Sequence, residues 1–273
     1  GMTTTLHGTV GFLGYGNRAS AILEGLIEQG VLGGRMAAVY DPDPARMDAA
    51  RHVSAHCMES AEELGGMCDT LVLAVKPQTM EGALRDLAPG LKPDTLVISI
   101  AAGINIAWLA ERLNAGQRII RVMPNTPALV QAGAAGIAPG PGCTDDDLAV
   151  ARTVFEAIGV AEVVEERDMD AVTALSGSGP AYFFYMVEGL VKAAVAEGLN
   201  EATATRLAAQ TLFGAGQLLQ RSDASAAVLR ERVTSKGGTT EAALRTFQAE
   251  GFERVVAAGV HAAAERSREL GRE

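Results

Sequence analysis

Short runs of consecutive apolar residues recur along the N-terminal part of the chain, and each is followed by a segment with apolar residues three and four apart. Such runs predict strands buried on both faces, because a strand with a solvent-facing side would alternate apolar and polar residues. The predicted strands are one that starts at Thr9 and others over residues 36–40, 70–75, 95–100, 118–123 and 160–165. The predicted helices between them include residues 80–87, 106–113 and 145–158. Alternating strands and helices with short connections predict a doubly wound, mostly parallel sheet.

The pattern changes after Asp168, where long alanine-rich segments carry apolar residues at helical spacing. They predict five helices, over residues 181–197, 202–220, 224–233, 241–250 and 252–270, and no strand. The sequence therefore predicts an α/β domain over residues 1–166, followed by an all-α domain over residues 167–273. So many small apolar helix faces in roughly one small domain predict packing against a second subunit. A monomeric bundle is the alternative.

Composition narrows the class of protein. Of 273 residues, 48% are hydrophobic, which predicts a folded rather than a disordered chain. The net charge of −10 argues against nucleic acid as a main partner. No apolar run reaches the roughly 20 residues of a membrane span, and no signal peptide is visible. The three cysteines and four histidines show no metal-ligand spacing. We expect a cytoplasmic protein that binds no membrane and no metal.

The first predicted strand leads into a glycine turn and a helix. Within it, Gly14-Tyr-Gly16-Asn-Arg-Ala19 fits the G-x-G-x-x-G/A dinucleotide fingerprint. Gly14 would form the tight turn, Gly16 would let the backbone approach a pyrophosphate, and Ala19 would let the helix pack on its strand. The helix N-terminus would face the phosphates. A plain tight turn is the alternative, but the context favours a Rossmann-type nucleotide site.

Asp41 ends the second predicted strand, about 20 residues after the fingerprint, where an acid usually accepts the ribose 2′-hydroxyl of NAD. The alternative is a helix cap before the prolines that follow. Arg46, in the next predicted helix, is a candidate phosphate contact. The choice between NADH and NADPH therefore stays open.

Three further strand ends carry candidate residues, because the carboxyl edge of an open α/β sheet lines the ligand crevice. They are Lys76-Pro77, Ala101-Ala-Gly103 and the proline-bracketed loop 123–127, which presents Asn125 and Thr126. Each also has a purely structural interpretation as a turn.

Two glycine- and hydroxyl-rich segments precede helices in the second half, at residues 176–180 and 234–240. Backbone N–H groups at such helix starts can gather around an anion such as a carboxylate. A cap alone needs one Ser or Thr, so the surplus favours binding. Neither segment contains a catalytic triad or a carboxylate pair. Reduction of a C=O group normally needs a His, Lys or Tyr acid, whereas a cyclic imine can be protonated before hydride arrives.

Six segments in order resemble pyrroline-5-carboxylate reductases, enzymes of the last step of proline biosynthesis. They are GFLGYGN (11–17), AVKP (74–77), SIAAG (99–103), MPNTP (123–127), SGSGPAY (176–182) and TSKGGTT (234–240). The resemblance spans essentially the whole chain. It implies an oxidoreductase that reduces L-1-pyrroline-5-carboxylate to L-proline with NADPH or NADH. It also implies a homodimer built by the C-terminal helices and a higher ring of dimers.

The resemblance also implies site residues. The substrate would lie against the cofactor and the 234–240 loop of the partner subunit, with Thr240 at the ring nitrogen as the catalytic residue. The implied substrate-binding residues are Ser235, Gly238, Thr239, Thr240, Ser176 and Asn125. The implied cofactor-binding residues are Phe12, Leu13, Gly14, Tyr15, Gly16, Asn17, Asp41, Ala74, Val75, Lys76, Pro77, Ala101, Ala102 and Gly103. Lys236 stands where many members of the family have proline.

Three alternatives stay open at this stage. A related reductase would act on another cyclic imine acid, such as a six-membered ring. A dinucleotide-sensing module would bind cofactor without turnover. A carbonyl reductase of the β-hydroxyacid type would need a lysine acid, for which Lys192 is the candidate, although a solvated helix face suits that residue better.

Overall fold

The computed structural model describes residues 6–272, which divide into two compact units. Within the described part, the first unit takes in residues 6–178 and 263–272, and the second takes in residues 179–262. The boundary that the sequence places between residues 166 and 167 stays a prediction.

An eight-stranded sheet forms the centre of the first unit. The strands are β1 Val10–Leu13, β2 Ala37–Tyr40, β3 His56–Cys57, β4 Thr70–Leu73, β5 Leu96–Ser99, β6 Ile119–Met123, β7 Gly133–Pro139 and β8 Gly159–Val163. Their order across the sheet is β3-β2-β1-β4-β5-β6-β7-β8. All neighbouring pairs are parallel except β6 and β7. The predicted doubly wound, mostly parallel sheet is confirmed.

The register aligns the ends of the central strands. Leu13 is opposite Tyr40 on one side and Leu73 on the other. The loops that follow β1, β2 and β4 therefore leave the sheet side by side. This edge lies where the strand order reverses direction around β1, the usual position of a ligand crevice in such sheets.

Both faces of the central strands β1, β4 and β5 are buried, which explains their continuous apolar runs. In β4, Leu71 and Leu73 join one hydrophobic cluster, whereas Val72 joins the other. Successive side chains of a strand point to opposite faces, so each cluster lies on its own side. Helices on the two sides complete these clusters, as a doubly wound sheet requires.

The helices of the first unit are α1 Asn17–Glu28, α2 Pro44–His52, α3 Ala61–Met67, α4 Met80–Leu87, α5 Ile106–Arg112, α6 Asp145–Glu156 and α7 Met169–Val172. Short 3₁₀ helices cover Gly34–Met36, Pro77–Thr79, Thr126–Val130 and Glu166–Asp168. Side chains of Asp43, Ser60, Asn105 and Thr144 cap α2, α3, α5 and α6. Local sequence thus fixes where these helices begin.

One predicted loop is helical instead. A π-helical turn, Thr173–Gly177, follows α7 directly, and the Ser178 N–H donates to the Thr173 carbonyl. The next helix, α8, starts at Gly179. The 176–180 segment was expected to offer open backbone N–H groups for an anion, and the N–H of Ser178 is not open; an anion contact elsewhere in the segment stays a prediction. The π turn already uses the amide of Ser178.

The second unit is helical, and no strand occurs within its residues, all of which the structure describes. Its helices are α8 Gly179–Ala196, α9 Glu201–Arg221, α10 Ala226–Arg232 and α11 Thr239–Ala249, followed by the first part of α12 Phe252–Arg272. The all-α prediction is confirmed. From residue 6 to residue 272, no helix is long and apolar enough to cross a membrane.

Of the three cysteines, Cys68 is buried, as a small apolar residue would be. Its thiol donates to the Leu64 carbonyl at 3.1 Å, and burial raises the pKa of the thiol to about 12. Cys57 and Cys143 are half-buried. All three thiols are free.

Candidate functional site

The loop after β1 forms a cradle that only glycine can make. Gly14 has a φ of +90°, and its N–H donates to the Tyr40 carbonyl at 2.9 Å. A Cβ at this position would lie 3.0 Å from the backbone of Ala74. A side chain would therefore meet both an unfavourable φ and the neighbouring strand end.

Gly16 is the N-cap residue of α1, with an extended backbone. The first N–H groups of a helix have no partner within the helix, and they attract negative charge. No acidic residue lies in the first turn of α1, where Arg18 adds a positive charge. This helix start suits a phosphate group.

A cleft of about 1050 Å³ opens along this edge of the sheet. Eleven of the fourteen predicted cofactor residues line it: Leu13, Gly14, Gly16, Asn17, Asp41, Ala74, Val75, Lys76, Pro77, Ala101 and Ala102. The other three do not. Gly103 lines a smaller pocket of about 410 Å³, which shares Pro77, Gln78 and Ala102 with the cleft.

Phe12 and Tyr15 lie in the core of the first unit. Their rings meet edge-on, with centroids 6.3 Å apart, and both side chains are buried. Burial raises the pKa of the Tyr15 hydroxyl to about 12, and that hydroxyl has no hydrogen-bond partner among the described residues. Their side chains therefore pack in the core next to the glycine turn and do not line the cleft.

Asp41 is held from within the protein. One carboxylate oxygen accepts the Tyr15 N–H at 2.8 Å, and the other accepts the Asp43 N–H at 2.9 Å. Arg46 approaches the same group at 3.5 Å. The helix-cap alternative for Asp41 is wrong, because the cap of α2 is Asp43, whose side chain accepts the Ala45 N–H. Asp41 ties the second strand end to the glycine turn.

The sequence interpretation missed several residues of the cleft, among them Arg18, Gln78 and Asp86. For Arg18 a signal exists. A positive charge in the first turn of a helix opposes the helix dipole, so it is unfavourable unless an anion binds there. Arg18 and Lys76 are exposed, and neither forms an ion pair with another of the residues 6–272.

These features fit a dinucleotide. The glycine cradle leaves room where a Cβ would collide, the start of α1 offers backbone N–H groups, and three cationic residues are among those that line the cleft. The arrangement can bind a pyrophosphate through amides and charge together.

Asn125 and Ser176 lie together in the first unit. The Asn125 amide donates to the Ser176 carbonyl at 2.9 Å, and its oxygen accepts the Ala134 N–H at 2.8 Å. The Ser176 hydroxyl donates to the Val172 carbonyl. Both ends of the Asn125 side chain thus hold the backbone, which supports the structural interpretation of the 123–127 loop. A substrate contact for either residue stays a prediction.

The predicted substrate loop of the second unit leads into α11. Gly237 has a φ of +75°, and its N–H donates to a Glu241 carboxylate oxygen at 3.3 Å. Gly238 is the N-cap, and no side chain caps this helix. Thr239 and Thr240 are the first residues of α11, so their N–H groups lack partners within the helix. The Gly238 N–H donates to the Ser235 carbonyl at 3.0 Å, so the N–H groups open to an anion are those of Thr239 and Thr240.

Two family models match the chain in separate stretches. Residues 9–103 match the model described as NADP oxidoreductase, coenzyme F420-dependent. Residues 166–270 match the model described as pyrroline-5-carboxylate reductase dimerisation.

Curated relatives match almost the whole chain. The pyrroline-5-carboxylate reductase of Pseudomonas aeruginosa is 42% identical over 262 residues, which cover 96% of each protein. The chain belongs to the pyrroline-5-carboxylate reductase family. The enzyme of Escherichia coli is 39% identical and covers 96% of this chain and 97% of its own length.

Solved structures of the family have the same fold. The pyrroline-5-carboxylate reductase of Coxiella burnetii superposes with a TM-score of 0.92 at 33% identity, covering 96% of this chain and 98% of its own. The Plasmodium falciparum enzyme, solved with NADP bound, gives a TM-score of 0.85 at 31% identity over 98% and 99% of the two chains. The chain is thus an NAD(P)H-dependent oxidoreductase by family, with a helical dimerisation region.

Proposed function

We propose that this protein reduces L-1-pyrroline-5-carboxylate to L-proline with hydride from NAD(P)H. The observation that carries the proposal is the 42% identity to a pyrroline-5-carboxylate reductase over 96% of both chains. The glycine cradle and the dinucleotide-sized cleft support it.

The cofactor residues would be those of the cleft. Amides at the start of α1 and the cations Arg18 and Lys76 would hold the pyrophosphate, and Gly14 would let it approach the backbone. The carboxyl-end loops after β4 and β5, with Pro77 and Ala102, would contact the extended cofactor. NAD(P)H, when bound, supplies the hydride that converts the imine carbon to an amine carbon.

The substrate residues would be those of the 235–240 loop. The amides of Thr239 and Thr240, with the Ser235 hydroxyl and with Gly238 beside them, would bind the substrate carboxylate at the open start of α11. The Thr240 hydroxyl would contact the ring nitrogen and orient the imine. Orientation of the two reacting groups would supply most of the rate, since the imine is protonated without a dedicated acid.

The homodimer follows from the dimerisation region. We further propose a higher ring of dimers, a cytoplasmic location and a domain boundary near residues 166/167. The family model that begins at residue 166 supports the boundary. The family resemblance supports the ring.

The first test is nicotinamide oxidation by the purified protein with pyrroline-5-carboxylate, and with its six-membered homologue in parallel. We expect turnover with the five-membered imine and at least about tenfold lower kcat/KM with the larger ring. Preference for the larger ring would replace the proposed substrate with that homologue. Cofactor binding without turnover of either imine would contradict the proposed reaction.

The role of Thr240 has a sharper test. Thr240→Ala should lower kcat by about 100-fold while Thr240→Ser, which keeps the hydroxyl, retains most activity. Thr246→Ala is the matched control, because the Thr246 hydroxyl lies on the same helix and donates only to the Ala242 carbonyl. Wild-type turnover in Thr240→Ala would exclude the proposed contact with the ring nitrogen.

A further inference from the structure

The acid at the end of β2 faces away from the cleft that it lines. Both carboxylate oxygens of Asp41 accept backbone N–H groups, from Tyr15 and from Asp43, and only 4% of the side chain is exposed. In dinucleotide-binding sheets an acid at this position discriminates by accepting the ribose hydroxyls. An acid whose oxygens point into the protein is poorly placed to do so.

Arg46 lines the cleft next to the carboxylate of Asp41. Its guanidinium lies 3.5 Å from an Asp41 oxygen, and about half of its side chain is exposed, at 47%. It also lies 3.6 Å from where a Cβ on Gly16 would be, and it lines the cleft. The arginine thus bridges the glycine turn and the end of β2.

Arg46 lies near the N-terminus of α2, where the carboxylates of Asp41 and Asp43 approach its guanidinium. It lies in the first turn of α2, which contains no acidic residue after the cap. A cation at a helix N-terminus opposes the dipole. An anion bound between the guanidinium and the helix start would be attracted by both.

From this geometry we infer that Arg46 binds the 2′-phosphate of NADPH and that Asp41 is a positioning residue for the glycine turn. The protein would then prefer NADPH over NADH, in spite of the acid that ends β2. The inference rests on the proposed NAD(P)H-dependent function. It goes further by assigning the preference to one side chain.

Other charges near Arg46 do not reverse this assignment. The Asp43 carboxylate lies 3.9 Å from the Arg46 Nε and caps α2 through the Ala45 N–H. The Asp41 charge is compensated by two N–H donors as well as by the arginine. Each of these contacts leaves the fork of guanidinium donors able to bind a phosphate in addition.

The test is equilibrium binding without imine. NADPH, NADH and the fragment adenosine 2′,5′-bisphosphate are titrated against the dimeric protein, the wild type and Arg46→Met. We expect Arg46→Met to lower the binding affinity for NADPH and for the bisphosphate by about 10- to 100-fold, which is the range for the loss of one charged hydrogen-bonding group. NADH affinity should change by less than about threefold.

Arg51→Met is the matched control. Arg51 is on the same helix, pairs with Asp48 at 2.7 Å and does not line the cleft. It should bind all three ligands as the wild type does. Equal weakening of NADPH and NADH in Arg46→Met would overturn the assignment.

Asp41→Asn separates the two roles of the acid. An amide cannot accept both N–H groups, so a positioning role predicts that NADPH and NADH weaken by the same factor. A ribose-binding role predicts weaker NADH and tighter NADPH, and that result would overturn the inference for Asp41. If circular dichroism shows that Asp41→Asn is misfolded, the inference is decided by Arg46→Met alone. The deciding quantity is the loss of NADPH affinity relative to the loss of NADH affinity in that variant. Because no imine is present, failure of the proposed reaction would leave these readouts unaffected.

Discussion

The two units use apolar residues in opposite ways. In the first unit, Leu23 and Leu26 of α1 are fully buried against the sheet. In the second, Phe184 of α8 is 61% exposed and Tyr185 is 77% exposed within a single chain. The first unit therefore completes its core from its own residues, whereas the second presents its large apolar side chains outward.

This contrast shows where each unit obtains its stability. An exposed apolar surface of this kind marks a protein interface in a folded protein. The matching family model names this region a dimerisation region. Burial inside one chain is independent of protein concentration, whereas burial between chains follows mass action. Large apolar residues thus stabilise the folding of one chain in the first unit and the association of two chains in the second.

The largest expected effect comes from a charge placed on the second unit. Phe184→Asp should weaken dimer association by at least about 100-fold, because a buried unpaired carboxylate costs several kcal/mol. Sedimentation velocity at micromolar concentration measures the change in mass.

The control for that variant is Met67→Asp, at an exposed methionine that ends α3 in the first unit. It should remain dimeric. A dimeric Phe184→Asp variant would place the interface elsewhere and contradict the comparison.

A smaller effect is expected in the core of the first unit. Leu23→Ala should lower the free energy of unfolding by about 2–5 kcal/mol at any protein concentration. Leu218→Ala, at a residue 65% exposed in one chain, should have an effect that depends on concentration. Urea unfolding at two concentrations about tenfold apart distinguishes the two. If the stability losses of both variants depended on protein concentration in the same way, the contrast between the two units would be contradicted.

The smallest effect concerns alkaline pH and is confined to the first unit, which holds all three cysteines. Burial raises the pKa of the Cys68 thiol from 9.0 to about 12. The folded state therefore keeps a proton that the unfolded state loses, so stability falls as pH rises from 9 towards 12. Between pH 8 and pH 10 the free energy of unfolding of the wild type should fall by about 1 kcal/mol more than that of Cys68→Ala. Parallel pH profiles of unfolding for the two proteins check this.

The sequence predicted best where pattern and burial agree. The apolar run at 70–75 became β4, and the helix predicted over 80–87 is α4. By contrast, β7 was missed because Gly133–Pro139 consists mainly of glycine and alanine, which carry no periodic signal. The antiparallel pairing of β7 with β6 holds it in the sheet, and such long-range pairing leaves no local trace.

The candidate site was predicted in its backbone but not in its side-chain directions. Glycine spacing identified the cradle, since Gly14 must adopt a positive φ. The inward direction of Asp41 depends on the Tyr15 N–H, which lies 26 positions away in the chain. Spacing alone also gave no sign of the π turn at Thr173–Gly177, because a single extra residue per turn hardly changes the apolar pattern.

The hydrogen bond from the Ser267 hydroxyl to an Asp170 oxygen, at 2.7 Å, spans 97 positions and lies within the first unit. On the ribosome, residues 6–178 emerge before the second unit, yet the segment of α12 that joins them is synthesised after it. The first unit is thus discontinuous in sequence, and its contact between Asp170 and Ser267 can form only once residue 267 has been translated. A gene fragment that stops at residue 178 would encode an incomplete version of it.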